Sequence, residues 1–107
     1  ADPWLREHPP AVEWHGLNKL GAQISPAHPL VASLCRAHAD VVGREPAVVG
    51  FPAGCDLPFL INDGKMPAVV FGPGDLAIAH TSQERVELSE VLQGAKLLAL
   101  AATRWCA

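Results

Sequence analysis

The stretch Pro67-Ala68-Val69-Val70-Phe71-Gly72-Pro73-Gly74-Asp75-Leu76-Ala77-Ile78-Ala79-His80 decides how this chain is read. Its first five residues are an apolar run between punctuating residues, the pattern of a short buried strand. A Gly-Pro-Gly turn follows and delivers a single histidine, with a carboxylate, Glu84, four residues on. That is how a fold presents a metal ligand at a strand end, and one ligand is one edge of a site. Upstream, Ala47-Val48-Val49-Gly50-Phe51 is a second run of the same kind, and helical patterns flank both. Apolar strands alternating with helices predict an α/β fold with a short, mainly parallel sheet.

The helix before the first of these strands opens at Ser25-Pro26, an N-cap followed by a first-turn proline. Leu30, Val31, Leu34, Cys35, His38, Val41 and Val42 share one of its faces, and Gly43 stops it. Residues 56–61 predict a short helix, 11–16 alternate as a strand does, and 1–10 read as extended or loop. The last helix, over 89–104, is unusual. Val91, Leu92, Ala95, Leu98, Ala99 and Ala102 form one apolar face, while Leu97, Leu100 and Ala101 carry apolar surface around much of the remaining circumference. A helix apolar on most sides is normally buried in a larger body. The alternative is an ordinary surface helix from which Lys96 and Arg104 snorkel. Three or four helices around two or three short strands would struggle to cover that surface, which points to a piece of a longer protein.

Composition narrows the function classes. The chain has 107 residues, enough for one domain, and 8 basic against 11 acidic residues give a net charge of -3. No basic stripe with interleaved aromatics is present, so nucleic acid is not the expected partner. No apolar run approaches the roughly eighteen residues of a membrane span, and the N-terminus lacks the pattern of a signal peptide. Cys35, Cys55 and Cys106 are odd in number and widely spaced, which suggests neither a disulfide framework nor a zinc knuckle, so a reducing cytoplasm fits best.

Three segments together carry a family resemblance: Gly50-Phe51-Pro52-Ala53-Gly54-Cys55-Asp56-Leu57, Met66-Pro67-Ala68-Val69-Val70-Phe71-Gly72-Pro73-Gly74, and Ala79-His80-Thr81-Ser82-Gln83-Glu84-Arg85-Val86. They resemble the C-terminal part of the M20 family of zinc metallopeptidases, nearest to its acetylornithine deacetylase and succinyl-diaminopimelate desuccinylase group. The resemblance implies a partial three-layer αβα architecture. Residues 1–20 would be the end of the lid and dimerisation domain with its linker, and 21–107 the C-terminal part of the catalytic domain. It also implies a hydrolase with two zinc ions, replaceable by cobalt, in which a bridging water attacks an amide carbonyl of an N-acyl amino acid or small dipeptide. The complete protein would be a homodimer. The glutamate that takes the water's proton and the bridging aspartate belong to the family's N-terminal half, so no catalytic residue is expected in this chain.

The resemblance assigns roles residue by residue. His80 matches the zinc-binding histidine of the Ala-His-x-x-x-Glu segment, whereas on its own it would read as a surface or core histidine. Glu84 would orient the His80 ring or its loop as a partner behind the ligand, or serve as a first-turn helix acid. Gly72, Pro73 and Gly74 would bring bare backbone close to substrate, or form a turn with no ligand role. Gly54, Cys55 and Asp56 match the family's substrate-pocket segment, and Cys55 reads as pocket wall because no histidine pairs with it in a recognisable motif. Two departures stand out: Pro58 lies where the family often has arginine, and Ser82-Gln83-Glu84 where it often has an acidic pair. His8, His15, His28 and His38 lack partners at metal spacing, and Trp4, Trp14 and Trp105 read as packing anchors. Two functions follow: part of a zinc-dependent amidohydrolase, inactive alone, or a non-catalytic interaction module or pseudo-enzyme that docks a partner through its last helix. Upstream sequence bearing a His-x-Asp motif and a paired glutamate would decide between them.

Overall fold

The computed structural model describes residues 2–16 and 20–107. Three α-helices run in order: α1 over Pro3–Glu7, α2 over Pro29–Val42 and α3 over Leu88–Trp105, with a π-helical turn at Phe59–Asp63 and a 3-10 turn at Leu76–Ile78. The expected boundary between the two units, at residues 20 and 21, follows residues 17–19, which lie outside the described residues. Among the described residues no helix is long and apolar enough to cross a membrane.

Local chemistry sets the ends of α2. Ser25 does not cap it: its hydroxyl accepts from the Ala27 amide at 3.2 Å and its carbonyl from the His28 amide at 2.9 Å, closing a turn before the helix. His28 is the cap instead. Its Nδ1 accepts from the Leu30 amide at 3.1 Å, and Pro29 occupies the first helical position, where a missing N–H costs nothing. Gly43 ends the helix as expected, in the left-handed region at φ 82, with its amide donating to the Ala39 carbonyl at 2.8 Å. Residues 1–10 are not all extended, because Asp2 caps the five-residue α1 through the Trp4 amide at 2.9 Å. In place of the short helix expected over 56–61, a single π-helical turn forms over Phe59–Asp63.

The expected sheet is absent: among the described residues there is no strand. The α/β reading and its partial αβα layering are therefore corrected to a helical chain joined by extended segments. Residues 47–51 and 67–71 do run without helical structure, but no backbone hydrogen bond joins them among the described residues. Instead both line one open cavity of about 950 Å³, along with Val31, Leu34, Cys35 and His38 of α2. Apolar β-branched composition favours a pleated, half-buried surface, yet a strand exists only when its N–H and C=O groups meet a partner. The alternating segment 11–16 is likewise irregular and exposed, with Trp14 76% exposed.

The core lies where α2 meets α3, the sole pair of helices in contact among the described residues. Ala37, Leu97 and Ala101 form its centre, flanked by Leu34, Val41 and Leu100. The small Ala37 side chain lets α3 approach closely enough to leave Leu97 only 1% exposed. Beside this cluster Arg104 Nη1 donates to Asp40 Oδ2 at 2.6 Å across the two helices. The packed face of α3 is not the one its periodicity singles out. Val91, Leu92, Ala95, Leu98, Ala99 and Ala102 are exposed, and it is Leu97, Leu100 and Ala101 that pack.

Candidate functional site

The segment from Gly72 to Val86 holds itself in shape through short-range hydrogen bonds. Gly74 has φ +96, a conformation side chains rarely adopt, so the turn needs a glycine there. Asp75 caps the 3-10 turn by accepting the Ala77 amide on Oδ1 at 2.9 Å. Thr81 Oγ1 donates to the Ile78 carbonyl at 2.7 Å and accepts from the Gln83 amide at 3.2 Å. The Glu84 amide then donates to the Thr81 carbonyl at 3.2 Å.

His80 stands in the middle of this segment with φ 62, in the left-handed region. Outside glycine that region is uncommon, and histidine is among the residues that visit it most. Glu84 stabilises the conformation directly, since its Oε2 accepts the His80 backbone amide at 3.2 Å. The carboxylate thus grips the loop rather than the imidazole, leaving the exposed ring unencumbered by it.

The turn is also docked on α3. Gly74 donates its amide to Glu90 Oε2 at 3.0 Å. A turn later on α3, a side-chain carbon placed at Gly94 would lie 3.8 Å from Pro73 Cδ, so Pro73 rests over a helix surface that glycine keeps low. This contact of Glu90 with the turn is not among those the sequence signals. Glu90 sits in the first turn of α3, where an acid is already favoured by the helix dipole, and its bond reaches sixteen residues back.

Of the expected site residues, Gly72, Pro73, Gly74 and Glu84 line one shallow depression of about 420 Å³, together with Arg85 and Phe71. His80 is not in that lining, although its neighbours Ala79 and Glu84 are. Gly54, Cys55 and Asp56 line neither this depression nor the larger cavity. They lead into the π-helical turn, where the Asp56 carbonyl accepts the Phe59 amide at 3.0 Å. Among the described residues, no three histidine, cysteine, aspartate or glutamate side chains gather to hold a metal ion. Zinc sites take three or four protein ligands, so the described residues do not by themselves complete one.

Comparison with known proteins bears on the chain as a whole. The model of peptidase family M20/M25/M40 matches residues 11–104. The chain is 33% identical, over 99% of its length, to N-formyl-4-amino-5-aminomethyl-2-methylpyrimidine deformylase of Halalkalibacterium halodurans, and covers 26% of that protein. It is 29% identical to the Bacillus subtilis deformylase of the same name, again over 99% of its length and 26% of the relative. With acetylornithine deacetylase of Myxococcus xanthus it shares 35% identity over 70% of its length and 19% of the relative. The chain therefore spans about a quarter of the length of the curated relatives it matches. No solved structure matches it.

Proposed function

This chain belongs to peptidase family M20/M25/M40, and on that premise we propose that it is the C-terminal part of a hydrolase that cleaves the C–N bond of an N-acylated amine. The observation that carries the reading is the match along nearly the whole chain to a deformylase and along most of it to a deacetylase. Both names describe removal of a small acyl group from an amine, and amide hydrolysis is the chemistry they share. The substrate class is accordingly an N-formyl or N-acetyl compound whose amine half is an amino acid or an aminomethyl heterocycle, or else a small dipeptide.

In this reading His80 is one zinc ligand, and the remaining ligands and the general base come from the rest of the enzyme. When bound, the metal would polarise the amide carbonyl and activate water. The residues here have positioning work. Glu84 holds the His80 backbone, Gly72-Pro73-Gly74 offers backbone at the rim of the depression, and Gly54, Cys55 and Asp56 stand as pocket wall in the completed protein. Residues 1–20 belong to the lid and dimerisation unit and 21–107 to the catalytic unit.

A hybrid tests the assignment. Residues 1–107 replace the matching quarter of the Halalkalibacterium halodurans deformylase, and hydrolysis of N-formyl-4-amino-5-aminomethyl-2-methylpyrimidine and of N-acetylornithine is measured. The hybrid is expected to hydrolyse one of them, and His80→Ala to lower kcat about a hundredfold or more, as loss of a metal ligand does. A folded hybrid inactive on both, or one indifferent to His80→Ala, overturns the reading.

A further inference from the structure

We propose that Glu90 is a positioning residue of this hydrolase: through its hydrogen bond to the Gly74 amide it fixes the Gly-Pro-Gly turn, and with it the His80 loop, to the first turns of α3. The inference rests on the amidohydrolase reading above and adds to it a residue that the motif segments do not contain.

Three observations carry it. First, the Gly74 amide is aimed at the Glu90 carboxylate, at 3.0 Å, and a hydrogen bond to a charged acceptor is stronger than a neutral one. Second, the contact is built from both sides. Gly74 adopts φ +96, and Pro73 lies over Gly94, one helical turn beyond Glu90 and on the same side of α3. Third, Glu84 holds the other end of the segment by the same device, a glutamate oxygen on a backbone amide, at His80. The path from Gly74 to His80 is thus clamped at each end by a carboxylate, with the 3-10 turn Leu76–Ile78 capped by Asp75 between the clamps. α3 in turn is anchored to α2 through Leu97 and Ala101. Glu90 is the link by which the core between α2 and α3 sets where the turn and the histidine stand.

An exposed hydrogen bond is worth little to global stability. Its role is therefore visible in position rather than in melting temperature. Glutamine is the discriminating substitution, because its amide oxygen still accepts the Gly74 amide while the charge is gone.

The test has two arms. In the isotope-labelled 107-residue chain, Glu90→Ala is expected to speed hydrogen exchange of the Gly74 amide about tenfold, the loss of one hydrogen bond to a charged group, and Glu90→Gln by less than about threefold. In the hybrid enzyme, Glu90→Ala is expected to lower kcat about tenfold with KM changed less than about threefold, and Glu90→Gln to restore most of it. Should Glu90→Ala disturb folding, Glu90→Asp keeps the charge in the first turn of α3 but shortens the reach to the Gly74 amide, and the same kcat loss is expected. Unchanged Gly74 exchange, or Gln behaving like Ala in kcat, overturns the role of Glu90. His80→Ala in the same hybrid separates the two ideas: if it is silent the hydrolase reading fails, whereas a severe His80→Ala with a silent Glu90→Ala removes only the positioning role.

Discussion

At His80 the backbone is held at φ 62, where a residue with a Cβ pays about 1–2 kcal/mol relative to the right-handed region. Strain of this kind persists only where surrounding contacts over-determine it, and here the Glu84 carboxylate on the His80 amide is such a contact. The conformation separates two substitutions that remove the same imidazole. His80→Gly is expected to leave the 107-residue chain at least as stable as the parent and about 1 kcal/mol more stable than His80→Ala, while both abolish activity in the hybrid. Urea unfolding of the two variants checks this, and equal midpoints would show that the left-handed geometry is not maintained in solution. Gly74→Ala probes the neighbouring position. The new Cβ would sit 3.7 Å from Val86 Cγ2, an ordinary contact, so its cost of about 1 kcal/mol is conformational and not steric. The need for glycine in this turn was legible in the sequence, because Gly-Pro-Gly has few other uses. The left-handed histidine was not: a histidine carries no sequence mark of its φ, and the contact that stabilises it comes from a side chain four residues away.

The third helix shows how pattern and packing part company. Both of its apolar faces are long enough to be buried, and α2 covers only one, so periodicity alone chooses between them on a margin that tertiary contact overrides. Ala37 and Leu97 decide the matter, since the small side chain on α2 admits the large one on α3. Leu97→Ala is therefore expected to destabilise the chain by about 2–3 kcal/mol, the loss of a buried leucine, whereas Leu92→Ala, at a position 63% exposed, is expected to cost less than about 0.5 kcal/mol. Urea denaturation ranks the two, and the reverse order would restore the face that the sequence favours. Arg104→Ala, which removes a partly exposed ion pair with Asp40, is expected to cost under about 1 kcal/mol. The helix boundaries themselves were legible at Gly43 and near the ends of α3. The strands were not. Residues 47–51 and 67–71 have the composition of strands, but pairing is a property of two segments and their spacing, and the sequence of either says nothing about whether the other comes within ladder distance.

For the molecule as a whole, the measure that matters is how little of it is closed. The radius of gyration is 18.9 Å, against about 13 Å for a compact domain near this length, and the accessible surface is 8549 Å² where a folded chain of 11.3 kDa presents about 5,700 Å². Leu88, Leu92 and Leu98 on α3 are part of that surplus. Apolar surface on this scale promotes association, so the 107-residue chain is expected to sediment with a concentration-dependent mass, and Leu92→Glu with Leu98→Glu to shift it toward monomer. A single concentration-independent species in the parent chain would contradict this. Metal binding follows the same logic. Affinity for zinc comes from several donors fixed at once, each further ligand being nearly free of entropic cost once the first has placed the ion. His80 is fixed by the loop, yet among the described residues no group of three or more such donors gathers to hold an ion. Calorimetric titration of the chain with zinc is thus expected to give only weak binding, lost in His80→Ala, while the hybrid, which adds the remaining ligands, binds stoichiometrically. Tight one-to-one binding by the chain alone would mean that its own carboxylates, cysteines and histidines rearrange around His80, and the turn would then be a metal centre in its own right instead of one wall of a larger one.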